Sequence, residues 1–436
     1  MRMTRSRKLY FIAACVLAGA LGAAALGTRL SIGADAYRHV FESAASDAAG
    51  LRVSVGGRFS VGFTGDLLLR MKDVRVRNAD GSELLRAEEA SIAIGVLPLL
   101  VNQRHVHRVT LRRPDIAIAR NADGTLNWER RAAPRGTLPV LDRARISLTD
   151  GTVRYGDERS GAAIRATEVR ANVRIKRRGF EADRIFMRVF GGEGRARMTA
   201  EVPDSVPRYR LTYTLSRFRI DDCLRTLSPD TIATGLMDFA ANVSFRGRAP
   251  AEWTKSMGGD VTLRGEEITL HGQDLDHALS RFESSQNLDL MDVGSVLFVG
   301  PLGVLATKGF DFARLIGKSD GSTEVRAMVS AWEARGGALH ARDVALATRK
   351  HRLALTGSLD VAAQRFDSVT VALVDSDGCA KVRQELRGTF RDPELKKPTV
   401  LASLLGPVRN VYHRAKDLLP GGPCTVFYAG SIPPPD

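Results

Sequence analysis

Residues 66–128 read DLLLRMKDVRVRNADGSELLRAEEASIAIGVLPLLVNQRHVHRVTLRRPDIAIARNADGTLNW. Within this stretch Val74 and Val76, Ile92 and Ile94, and Ile116 and Ile118 alternate with polar or small residues. A period of two sends successive side chains to opposite sides of an extended chain, so each run reads as a strand with one apolar and one wetted face. Asn78-Ala79-Asp80-Gly81 and Asn121-Ala122-Asp123-Gly124 separate the runs and supply the residues that tight turns need.

The pattern continues outward on both sides. It starts at Val53 and Val55 and returns at Val169 to Ile175, at Leu211, Tyr213 and Leu215, at Val243 and Phe245, and at Val261 and Leu263. Leu353 and Leu355, then Val369, Val371 and Leu373, repeat it near the end, with turn signals at Asp150-Gly151 and Asp375-Ser376-Asp377-Gly378. The expected fold is mainly β, an elongated antiparallel meander. Only 6% of residues are aromatic, and the apolar faces use Val, Ile, Leu and Ala. A filled sandwich needs bulkier residues between its sheets; a sheet curled into an open apolar groove does not. Val53, Val55, Val74, Val76, Ile92, Ile94, Ile116, Ile118, Leu353, Leu355, Val369, Val371 and Leu373 are the candidate groove-lining residues.

Residues 9–27, LYFIAACVLAGALGAAALG, carry no charge; at about 1.5 Å per residue they span roughly 28 Å, enough for the hydrocarbon core. Arg2, Arg5, Arg7 and Lys8 precede them, so the positive-inside rule keeps the first residues cytoplasmic and exports the rest. The competing reading is a cleaved signal peptide, with small residues at Ala23 to Ala25, although signal cores are usually shorter, about 7–15 residues. Leu30, Ala34, Tyr37, Phe41, Ala44 and Ala48 then form a helical stripe that Gly50 ends. Such a helix either lies on the outer leaflet or plugs the end of the β body. A second stripe runs from Leu401 to Leu419, with Pro407 inside it and Pro420-Gly421 after it. It reads as a cap over the sheet end or as a basic amphipathic helix on anionic lipid.

The expected organisation is a cytoplasmic basic stub (1–8), a transmembrane helix (9–28), an amphipathic helix (29–50), three β regions (51–135, 136–255 and 256–390), and a helical cap with a tied tail (391–436). Short amphipathic helices thus sit at both ends. Cys15 lies in the apolar segment and Cys223 stands alone. Export places Cys379 and Cys424 in an oxidising compartment, where a bridge would tie the tail to the last strands; buried free thiols are the alternative.

The chain has 436 residues, 64 Lys+Arg against 49 Asp+Glu, and a formal charge of +15, which favours anionic partners. No helix-turn-helix, RNP or zinc-finger pattern appears, so nucleic acid is not an expected partner. His105 and His107 share a strand face without a third ligand nearby, and no metal or other cofactor is expected. The paired carboxylates Asp274/Asp276 and Asp289/Asp292 read as turn residues rather than a catalytic pair. G-x-S-x-G, H-E-x-x-H and Walker motifs are absent, so the chain is not expected to be an enzyme.

The string from Asp66 to Trp128 carries Asn78, Gly81, Ala87, Leu97-Pro98-Leu99-Leu100, Pro114 and Asp123-Gly124-x-x-Asn127-Trp128. It resembles the N-terminal region of the AsmA family of bacterial envelope proteins. Leu148 to Tyr155 is similar to the hairpin that follows. Gly265-Glu266, Leu275-Asp276, Phe282, Gly303, Thr307-Lys308-Gly309, Asp343, Gly357 to Asp360, Gly388 and Pro393 look like the family's C-terminal domain. The resemblance implies a single-pass protein of the bacterial inner membrane with a periplasmic body, linked to outer-membrane biogenesis and lipid homeostasis. Longer relatives such as TamB share a chorein-like β groove thought to conduct phospholipid. The implied partners are the membrane, phospholipid acyl chains and an outer-membrane or periplasmic protein. The alternative is a periplasmic scaffold that assists outer-membrane protein assembly without carrying lipid. The family supplies no catalytic residues.

Overall fold

The computed structural model describes residues 34–95, 105–127, 143–159, 161–203, 205–226, 233–272, 274–277, 279–280, 321–390, 392–396, 399–400, 424 and 426–435. The expected transmembrane segment, the stripe from Leu401 to Leu419, and Asp289 and Asp292 lie outside them. Among the described residues, no helix is long and apolar enough to cross a membrane. The chain is mainly β and divides into two compact units, Met1–Arg159 with Arg165–Ile185, and Ser160–Ile164 with Phe186–Asp436.

In the first unit, helix α1 (Ala34–Ala49) precedes β1 (Arg52–Val55), β2 (Phe59–Phe63) and β3 (Asp66–Arg77). Gly50 takes φ +65° and donates to the Ser46 carbonyl at 2.8 Å, a left-handed helix stop. Two α1 side chains then satisfy β1 directly. Val55 N–H donates to Glu42 Oε1 at 2.7 Å and Val53 N–H to Ser46 Oγ at 2.9 Å. Phe41 meets Phe59 with ring centroids 5.8 Å apart. The helix is therefore docked on the β1–β2 end of the sheet through Phe41, while Tyr37, expected on the same stripe, is 48% exposed.

β1 and β2 share one edge of β3, pairing Val55 with Val74 and Phe59 with Met71. Between them Gly56 and Gly57 donate to Asp73 O and Lys72 O. A Cβ on Gly57 would stand 2.9 Å from Lys72 Cβ, so only glycine fits there. β4 (Glu83–Gly95) and β5 (Val106–Arg120) extend the meander antiparallel. β6 (Arg145–Asp157) then pairs parallel with β5, from Arg108 opposite Arg145 to Arg120 opposite Asp157. This corrects the all-antiparallel expectation. The Asn121–Gly124 turn forms, with Gly124 N–H donating to Asn121 O, and the chain returns through an Arg120–Leu126 bridge and an Asn127 N–H bond to Ala119 O at 2.8 Å. Some two dozen residues separate β5 from β6, enough for the crossover that a parallel pair demands. β7 (Ala163–Lys176) and β8 (Gly179–Val189) follow.

The second unit is a consecutive antiparallel meander. β9 (Gly192–Glu201) pairs with β10 (Arg208–Arg219), β10 with β11 (Ala233–Arg246), β11 with β12 (Gly258–His271), and β12 with β13 (Ser322–Arg335). β14 (Ala338–Ala347), β15 (Arg352–Asp360), β16 (Arg365–Val374) and β17 (Ala380–Gly388) continue it; β18 (Pro393–Leu395) and β19 (Thr399–Val400) both pair with β17. Two short helices, α2 (Ile220–Arg225) and α3 (Pro250–Ser256), join β10 to β11 and β11 to β12. No strand pairing among the described residues closes either meander into a barrel.

Candidate functional site

Strand register assembles the candidate residues of the first unit row by row. Val53 lies opposite Val76, Val76 opposite Leu85, Leu85 opposite Ile116, and Ile116 opposite Val153. A second row joins Leu69, Ile92, Val109 and Ile146, and Ile94 lies between Leu67 and Val106. Ile118 faces Tyr155. Residues directly opposite one another share a sheet face, so all eight lie on one apolar face. Val55 and Val74 are buried within it; Val53, Val76, Ile92, Ile94, Ile116 and Ile118 are half-buried.

That face stays on one side because several strands reverse their pleat once. Met71 and Val74 are both buried although three residues apart, as are Ala87 and Ala90, Ala166 and Val169, Leu215 and Phe218, and Phe366 and Val369. Each gap holds two polar residues, such as Lys72-Asp73, Glu88-Glu89, Thr167-Glu168 and Ser216-Arg217. In most of these strands the second of the pair has positive φ: Asp73 50°, Arg113 45°, Asp150 61°, Glu168 51°, Arg217 53° and Ser368 53°. In β3 to β6 the reversals fall at matching positions, so the ladder keeps its register through them. Gly151 belongs to this row, since a Cβ there would stand 3.0 Å from Pro114 Cγ. The polar pairs point away from the apolar face and neutralise each other across strands, Arg112 with Glu89 at 2.9 Å and Arg113 with Glu88 at 2.8 Å. Strict alternation concealed this device; the legible signal is a doubled polar step flanked by apolar residues three apart.

The second unit has two different halves. From β9 to β12 one face carries Met198, Leu211, Tyr213, Phe239, Ala241, Val243 and Val261, mostly half-buried, and the other carries exposed residues such as Arg195, Arg197, Arg208 and Arg210. The helices border this apolar face. Trp253 of α3 donates Nε1–H to Gly247 O at 2.8 Å and sits 5.7 Å from Phe245, which stacks on Tyr209 at 5.1 Å. Near α2, burial pushes the Cys223 thiol up to about 11 and the Tyr213 phenol up to about 12. Both shifts report a water-poor environment there. Neither helix was legible from β periodicity, although Ile220 and Leu224 are one helical turn apart and Pro250 sits at the first position of α3.

From β13 to β16 both faces are closed over Met328–Ser330, Val344–Ala347, Arg352–Leu355 and Val371–Val374. Leu353 and Val371 are 0% exposed, and Leu355, Val369 and Leu373 are equally buried. The intervening Ala345, Ala354 and Ala372 are buried too, packed beneath Phe427, Tyr428 and Ile432 of the tail. The five C-terminal groove candidates are therefore core residues, which corrects their expected place on an open face. Alanine at the alternate positions admits a second covering layer, where a polar residue would have kept that side wet.

Cys379 and Cys424 are disulfide-bonded with Cα atoms 6.0 Å apart. Phe427 and Tyr428 N–H both donate to Gly378 O beside the bridge. His107 Nδ1 lies 3.2 Å from Asp66; the two do not form part of a larger donor set, since no group of three or more His, Cys, Asp or Glu among the described residues could hold a metal ion. Asp274 accepts from His277 N–H at 2.9 Å, as a turn residue does, whereas Asp276 accepts from Thr348 Oγ at 2.5 Å and lies 2.9 Å from His351 Nδ1. The two carboxylates therefore serve separate local structures. What the arrangement offers chemically is surface: an apolar face beside a charged one. No protein-family model, curated protein or solved structure matches this chain.

Proposed function

We propose that this chain is an AsmA-like protein of the bacterial inner membrane, anchored through residues 9–28, whose exported β body binds phospholipid and conducts its acyl chains along an apolar β groove in support of outer-membrane biogenesis. The observation that carries this reading is the apolar face running through β1 to β6, on which Val53, Val76, Ile92, Ile94, Ile116 and Ile118 stay half-buried around a buried centre at Met71, Val74 and Ala87, with charged residues on the opposite side. An acyl chain needs an apolar surface that its own burial completes, and its headgroup needs adjacent water. The half-buried face of β9 to β12 repeats that arrangement in the second unit. Burial in such a groove is spread over many side chains, so no single residue is expected to be indispensable.

The test is to purify the full chain in mild detergent and analyse co-purifying phospholipid by mass spectrometry, beside an Ile92→Asp/Ile116→Asp variant. Phospholipid on the wild type and its loss from the folded variant support the reading. A folded wild type free of phospholipid overturns it in favour of the scaffold reading.

A further inference from the structure

The polar face of the first unit carries a cleft of about 610 Å³. Arg70 on β3, Arg108 on β5, Arg145 on β6 and neighbouring Arg143 line it, with Asp66 and His107 at its edge. Its floor includes Leu68 and Ala93, which lie opposite each other, and Ala93 in turn lies opposite Arg108. Four guanidinium groups thus share one carboxylate, and that carboxylate is within 3.2 Å of His107 rather than of an arginine. Among the described residues, no acidic group forms an ion pair with Arg70, Arg108, Arg143 or Arg145.

Register makes the arrangement costly. Arg108 lies directly opposite Arg145, and like charges at opposed positions destabilise a sheet. The same unit contains the same opposition at Arg52 and Arg77, where Glu83 lies 3.8 Å from Arg77, and at Arg75 and Arg86. In the second pair Asp73 accepts from both, at 2.7 Å from Arg75 Nη2 and 3.3 Å from Arg86 Nε. Elsewhere on this sheet Arg112, Arg113 and Arg154 likewise have their own carboxylates, Glu89, Glu88 and Asp115. In the cleft, four arginines converge and, among the described residues, no carboxylate does the same for them.

We propose that this cleft binds a phosphate-bearing anion, which bridges Arg108 and Arg145 as Asp73 bridges Arg75 and Arg86, with Arg70 completing the cradle. Planar guanidinium forks match phosphate oxygens in pairs, and a concave site with apolar floor groups strengthens each contact relative to open surface. The anion is either a free phosphate or the headgroup of an anionic phospholipid. The headgroup has a second feature in its favour, because Phe63, beside cleft residue Thr64 at the tip of the β2–β3 hairpin, is 52% exposed. The proposal does not depend on lipid conduction, since the cleft and the apolar face lie on opposite sides of the strands.

The experiment is calorimetric titration of the full chain in maltoside micelles with inorganic phosphate, at low and moderate salt. Arg108→Gln/Arg145→Gln weakens binding at least tenfold, Arg108→Lys has an intermediate effect, and Arg154→Gln, whose arginine already has Asp115, changes it less than twofold. All are exposed positions, and far-UV circular dichroism checks that each variant is folded. Short-chain phosphatidylglycerol that displaces phosphate at a tenfold lower concentration, where phosphatidylcholine does not, identifies the headgroup; displacement no better than by phosphate itself identifies the free anion. Absence of phosphate binding by the wild type, or binding unchanged in the double glutamine variant, overturns the proposal. An Ile92→Asp/Ile116→Asp variant that has lost its lipid and still binds phosphate separates this site from the groove.

Discussion

Tyr428 donates its phenol hydrogen to Asp343 Oδ1 at 2.6 Å across 85 residues of sequence, and the Tyr428 phenol oxygen accepts from Ile432 N–H at 3.0 Å. Arg352 completes the arrangement: its guanidinium carbon lies 5.5 Å from the Tyr428 ring centroid and its Nη1 donates to Ile432 O at 3.0 Å. The tail is thereby pinned over Ala345, Ala354 and Ala372. Tyr428→Phe leaves the aromatic packing and removes the partner of Asp343 Oδ1 and of the Ile432 N–H, while Asp343 Oδ2 keeps its bond from Ser431 N–H. The expected cost is about 1–2 kcal/mol, read from the denaturation midpoint in urea.

The Cys379–Cys424 bridge fixes the start of that tail across a separation of 45 residues. Replacing both cysteines with serine is expected to lower stability by about 3–4 kcal/mol on the chain-entropy model. Reductant should reproduce the loss in the wild type and have no effect on the double serine variant. Limited proteolysis should then cut first between residues 424 and 435, because the hydrogen bonds to Gly378 and Asp343 no longer have a covalent neighbour.

Half-buried and sealed positions should respond differently to one carboxylate. Val371→Asp puts a charge where exposure is 0%, and a cost of about 4 kcal/mol or more is expected, with loss of the folded second unit. Ile116→Asp, on the half-buried face of the first unit, is expected to cost about 1–2 kcal/mol and leave the chain folded. Equal losses by thermal denaturation would show that the first-unit face is as closed as the second.

The pleat reversals give a test that ordinary strand propensity gets backwards. Glu267 sits inside β12 at φ +52°, between buried Gly265 and Ile268. Glu267→Val, favourable in a regular strand, is expected to destabilise by about 1–2 kcal/mol because a β-branched residue resists left-handed backbone. Glu267→Gly should be neutral or slightly stabilising, and the order of the two unfolding midpoints decides the matter.

Alkaline pH should weaken the second unit near α2. The Cys223 thiol rises from 9.0 to about 11 and the Tyr213 phenol from 10.0 to about 12, both chiefly through burial. The folded state therefore holds these protons more tightly than the unfolded chain. Their contribution is intact below about pH 9 and is lost as pH rises through 11 and 12, a change on the order of 2 kcal/mol for each group. Cys223→Ala should flatten the lower part of that decline in a series of urea titrations.

Much of this protein was legible in sequence. Alternation at Val74/Val76, Ile92/Ile94 and Ile116/Ile118 specified strands, and the α1 stripe with Gly50 specified a helix and its stop, because both depend on local backbone geometry. The doubled polar step at Lys72-Asp73 was also there to be read, as a spacing of three between Met71 and Val74. Two things were not. The β5–β6 pair runs parallel although a good hairpin turn follows β5, and strand direction is set by the length of the connection and the neighbour it reaches. Whether an apolar face is open or sealed also lay beyond periodicity. Ile116 and Val371 sit in similar alternating runs, yet one is half-buried and the other shut away. Alternation records which side of its own strand a residue occupies. What covers that side is decided by elements far along the chain, as where Tyr428 reaches Asp343 and closes one face of the C-terminal sheet.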